Sequence, residues 1–132
     1  MRYELTEAFA PWAKESARLH LPSYLAGVFF HLAVFTALGL AVGSLVPGLG
    51  PRLVSLGWPV RVVLLLGLFC GLGLLVKRLT SKRMRALSVP EDYLANLLGG
   101  AMVAAALIAL SRPTWLHGLH LVTAALLLYL PL

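Results

Sequence analysis

The stretch from Pro22 to Val46, PSYLAGVFFHLAVFTALGLAVGSLV, holds no formally charged residue and is long enough to cross a bilayer. About nine residues into it stands one titratable side chain, His31. An imidazole at membrane depth is costly unless it bonds, ligates or lines something, so His31 is the first functional candidate.

The rest of the chain has the same character. Of its 132 residues, 60% are hydrophobic and 12% are charged. A soluble domain of that length could not cover so much apolar surface, which places the chain among integral membrane proteins. The net charge of +6 does not point to nucleic acid, because the basic residues lie between apolar runs. The one cysteine, Cys70, sits in an apolar run and excludes an internal disulfide.

Proline, glycine and charge punctuate the sequence into four candidate spans: about 22–46, 56–76, 90–110 and 114–132. Residues 1–21 carry Glu4, Glu7 and Glu15 together with Tyr3, Phe9 and Trp12. They lack the apolar core of a cleavable signal and read as an interfacial segment. Trp58 and Arg61 open span two as a belt aromatic and a snorkelling cation. Ser88-Val89-Pro90-Glu91 reads as a capping box opening span three, with Ser88 as N-cap.

With four spans, both termini and the 77–92 loop share one face. That face carries Arg2, Lys14, Arg18, Lys77, Arg78, Lys82, Arg83 and Arg85, against Arg52, Arg61 and Arg112 on the other. Eight against three makes the first face cytoplasmic, in a bacterial inner membrane. All five acidic residues fall there too, as either a docking surface for a soluble subunit or plain solvated charge. The expected architecture is therefore an all-α, four-transmembrane-helix bundle with an N-terminal interfacial segment. Gly39-x-x-x-Gly43 and Gly67-x-x-x-Gly71 supply candidate close-packing faces.

Of the four histidines, His20 precedes span one, His31 lies within it, and His117 and His120 share a face early in span four. A lone HxxH pair is weak evidence for a metal, whereas bis-histidine haem ligation takes one imidazole from each of two helices. His31 lies roughly 13 Å from the inner end of its span and His120 roughly 9 Å from the outer end. In a core of about 30 Å their depths differ by roughly 8–10 Å, so they belong to two levels.

The order of GVFFHLAVF at 27–35, a basic VKR…R loop, Ser88-x-Pro90-x-Asp92-Tyr93 opening a helix, and HLVTAALLLYLP at 120–131 resembles a known family. These are the haem b membrane subunits of respiratory nitrate reductase, and the related membrane subunits of sulfite-reduction and heterodisulfide-reductase-like complexes. The resemblance covers about residues 20–132. It implies a cytochrome b-like electron-transfer subunit that exchanges electrons with quinone and with a soluble iron–sulfur partner on the cytoplasmic face. It also implies haem b held through His31 and His120, with His117 beside them. The chain departs from the pattern: the family's first span has no counterpart, and Ala41 stands where a second histidine is expected ten residues after His31. The last expected histidine would fall beyond Leu132. Each haem level thus keeps one ligand, which agrees with the depth difference. Either a neighbouring subunit supplies the missing ligands, or both histidines hold one haem, or the chain is a haemless structural anchor among other membrane subunits.

Overall fold

A computed structural model describes residues 15–49, 52 and 55–129, with side chains from residue 21 onward in the first helix. The interfacial segment expected for the N-terminus falls largely outside the described residues. Among them the chain is helical: α1 Glu15–Gly43, α2 Gly57–Thr80, the short α3 Lys82–Leu87, α4 Pro90–Ser111, a 3₁₀ turn Pro113–Trp115, and α5 Leu116–Tyr129.

Three of these helices are long and apolar enough to cross a membrane: Leu21–Gly43, Gly57–Thr80 and Pro90–Ser111. Their outer surface is what lipid demands. Phe69 is 76% exposed and Phe35 66%, an arrangement that would aggregate in water and is satisfied in hydrocarbon. The protein is thus a multi-pass membrane protein that contacts the bilayer.

Helix boundaries differ from the sequence expectation in three places. α1 begins at Glu15, so Pro22 lies inside the helix instead of opening it. It ends at Gly43, three residues early, because Leu45 and Val46 turn back onto Val42 and Gly43 by three-residue bonds before Gly48 takes a positive φ of 79°. A left-handed φ suits glycine, which has no Cβ to clash. At the start of α4 the N-cap is Val89, not Ser88. The Asp92 carboxylate accepts the Val89 N–H at 3.2 Å, while the Ser88 hydroxyl donates to the Met84 carbonyl and closes α3 instead. Valine has no side-chain acceptor, so only the reciprocal half of a capping box exists.

The fourth expected span appears as the 14-residue α5. Fourteen helical residues rise about 21 Å, less than a core of about 30 Å. The Tyr129 hydroxyl nevertheless reaches the carbonyl of Glu91, in the first turn of α4, at 3.3 Å. α5 therefore runs antiparallel to α4 along most of its length.

The bundle is knit around Phe30. Its ring lies against Gly71 of α2 and Gly99 of α4; an added Cβ would meet it at 2.5 Å from Gly71 and 3.1 Å from Gly99. One turn along, a Cβ at Gly67 would land on Ala33 of α1. The Gly67–Gly71 pair is thus a true contact face, as the spacing predicts. Gly39 is different: open space surrounds it, so the same spacing in α1 makes no contact there. Ala33, Ala37, Leu64, Met102, Val103 and Ala106 complete a core of mostly small side chains, which lets the backbones come close.

The ends of the bundle are tied by polar contacts. At one end Lys77 of α2 donates to the Ser23 hydroxyl of α1, and Arg78 stands 3.8 Å from Asp92. At the other, the Arg61 guanidinium donates to the Leu110 carbonyl at 3.2 Å. That carbonyl lies in the last turn of α4, where no helical N–H is available to it, and the cation also faces the negative end of the helix dipole.

Candidate functional site: two histidines at two levels

His31 follows the buried Phe30, and one helical step of about 100° turns it out of the bundle. Its Nδ1 lies 2.7 Å from the Gly27 carbonyl one turn earlier. A carbonyl only accepts, so Nδ1 carries a proton, and in the neutral ring Nε2 keeps a lone pair. The ring sits in a shallow groove lined by Ser23, Tyr24, Gly27, Val28, Leu32 and Phe35, all from α1. Gly27, with open space where a side chain would stand, makes room for it. No other described helix contributes to this groove. His31 therefore presents a fixed tautomer and a free acceptor to whatever lies outside α1.

His120 is turned the other way. From α5 its Nε2 lies 2.9 Å from the Ser44 hydroxyl and 3.1 Å from the Ala41 carbonyl, and the Ser44 hydroxyl itself donates to that carbonyl at 2.8 Å. The only consistent assignment puts the proton on Nε2, shared between the two oxygens. Ser44, which the sequence reading passed over, thus joins the end of α1 to α5. Its one sequence signal is a hydroxyl three residues past Ala41, near the end of an apolar run. His117 is exposed on α5, one turn before His120.

The position of Ala41 bears on haem binding. It is 2% exposed, and its carbonyl is the acceptor for both His120 and Ser44. A histidine there would have to enter space already filled. The node lies ten residues beyond His31 on the same helix, an axial separation of about 15 Å.

Two axial imidazoles must reach one iron. His31 and His120 of one chain do not: His120 meets the end of α1 at Ala41 and Ser44, ten or more residues beyond His31, His31 is turned out of the bundle, and the Nε2 of His120 is already engaged. His31 taken alone fits an axial ligand well, because a ligating imidazole commonly donates its other N–H to a backbone carbonyl, as Nδ1 does here. Among the described residues no group of three or more His, Cys, Asp or Glu is placed to hold a metal ion. Compared with known protein families, with curated proteins and with solved structures, the chain has no match in any of the three.

Proposed function

We propose that this protein is a membrane electron-transfer subunit of a larger respiratory complex, in which His31 faces a neighbouring membrane subunit and supplies one of the two axial imidazoles of a b-type haem at that interface. The observation that carries the reading is the Nδ1–H bond to Gly27, which in the neutral ring leaves the Nε2 lone pair on the outer face of α1. Bound there, the haem would supply one-electron transfer between quinone and a soluble iron–sulfur partner. This chain's part is to orient the ring, through Gly27, and to set the apolar surroundings that tune the potential, through Val28, Leu32 and Phe35.

In this reading α5, packed antiparallel to α4, makes a fourth crossing. Both termini then lie on the cytoplasmic side of a bacterial inner membrane, with the basic residues between α2 and α4. His120 and His117 hold no iron in this arrangement, since His120 acts as a tie between α1 and α5.

A second reading, a haemless anchor that fastens a complex to the membrane, draws on that same tie. The level where a second haem would need an open imidazole is closed by Ser44 and Ala41. One experiment separates the two. The complex is purified from membranes and its reduced-minus-oxidised spectrum recorded, with and without His31→Leu. The electron-transfer reading expects b-type Soret and α bands that the variant loses while assembly persists. An intact complex without those bands sinks it in favour of the anchor.

A further inference from the structure

The segment between α2 and α4 carries a second feature, independent of the histidines. Ser81 leaves the helical region with φ −81° and ψ 118°, which breaks α2 and lets α3 begin. Ser88 and Val89 are extended again before α4. α3 is therefore strung between the ends of two consecutive spans and lies at the level where the bilayer meets water.

From the last turn of α2 to the first turn of α4, residues 77–92 hold Lys77, Arg78, Lys82, Arg83 and Arg85 against Glu91 and Asp92, five cations less two anions, or +3. Lys77 and Arg78 have partners in Ser23 and Asp92. Asp92 is further occupied by the Val89 N–H. Lys82, Arg83 and Arg85 are exposed and make no hydrogen bond or ion pair among the described residues. Between and beside them stand exposed apolar side chains: Leu79 at 52%, Leu87 at 73% and Val89 at 53%.

A solvated loop has no reason to expose leucines among its cations. A segment lying in the headgroup layer does, because apolar side chains enter the acyl boundary while Lys and Arg stems reach the phosphates. We propose that Lys82, Arg83 and Arg85 form a binding surface for the phosphodiester headgroups of anionic phospholipid, with Leu79, Leu87 and Val89 as its hydrocarbon-facing floor. The exposed Leu79, Leu87 and Val89 favour lipid, which covers apolar side chains and cations at one level.

The test uses full-length protein in mixed micelles of phosphatidylglycerol and phosphatidylcholine, with retained lipid counted by native mass spectrometry. Each cation at an anionic surface contributes about fivefold, so the wild type should prefer phosphatidylglycerol by at least about tenfold. Lys82→Gln/Arg83→Gln/Arg85→Gln should fall to within about twofold of no preference, with its helix content unchanged by circular dichroism. Arg52→Gln/Arg112→Gln, at the other end of the bundle, should keep it. Were the triple variant to misfold, the wild type in about 0.5 M NaCl serves instead, and its preference should collapse as charge is screened. A preference that survives the triple substitution or the salt overturns the proposal. So does equal competition by soluble glycerol phosphate, or a wild type with no lipid preference, as expected if an acidic subunit occupies these cations.

Discussion

Gly67→Ala is the sharpest probe of how the bundle is held. The added Cβ would fall on the Cβ of Ala33, which is fully buried, and within 3.0 Å of the Phe29 carbonyl oxygen. Carbon atoms pack at about 3.5–4.0 Å, so α1 and α2 must separate by roughly 1.5–2 Å near this point. Both obstacles belong to the backbone or to a Cβ, and neither can swing aside as a longer side chain would. Overpacking of this kind costs about 1–3 kcal/mol. In lipid the loss is chiefly of dispersion, because tails are as apolar as the partner helix, so separating the helices also weakens the Phe30 contacts next to it. Thermal or SDS-induced unfolding in a mild detergent measures the effect. Gly73→Ala on the same helix, with nothing within 4 Å, is the control and should change stability by less than about 0.5 kcal/mol. The double variant Ala33→Gly/Gly67→Ala moves the methyl from one helix to the other and should recover at least half of the loss. If Gly67→Ala behaves like Gly73→Ala, close approach of α1 and α2 is not what holds them.

Other substitutions test the remaining contacts. Ser44→Ala and His120→Leu should each lower stability by about 0.5–1.5 kcal/mol, and the double variant by less than their sum, a coupling that a double-mutant cycle reads directly. Ala41→His, which installs the histidine expected from the resemblance, should overpack by about 1–3 kcal/mol and give no added haem absorbance. Arg61→Met should expose the last turn of α4, seen as faster amide exchange around Leu110, at a cost of about 0.3–1 kcal/mol. His31→Leu should leave the unfolding midpoint of the isolated protein unchanged, since its one described hydrogen bond lies within α1.

The positions of the long apolar helices were legible from hydropathy and from the breaks at glycine, proline and charge. Facing was not. Gly39-x-x-x-Gly43 and Gly67-x-x-x-Gly71 are the same pattern, yet Gly67 and Gly71 both meet a neighbour while Gly39 faces open space, because the contact depends on which side of each helix the fold turns inward. His31 and His120 show the same limit. Their difference in depth follows from counting residues, while the outward turn of one and the inward turn of the other follow from tertiary packing. Its place before a proline marks Ser88 as the cap of α4, but the hydroxyl is drawn to Met84 one turn back. Backbone competition of that kind is a local effect that a motif does not encode.

The ring of Phe30 has one more consequence, for the order of assembly. It touches α2 and α4 at once from α1, so the first three spanning helices can lock together as soon as the third has entered the bilayer. α5 is shorter than the three spanning helices, and it meets a bundle whose Ser44 and Ala41 acceptors stand at the end of α1, in place for His120. One aromatic ring thus sets the register of all three spanning helices at once.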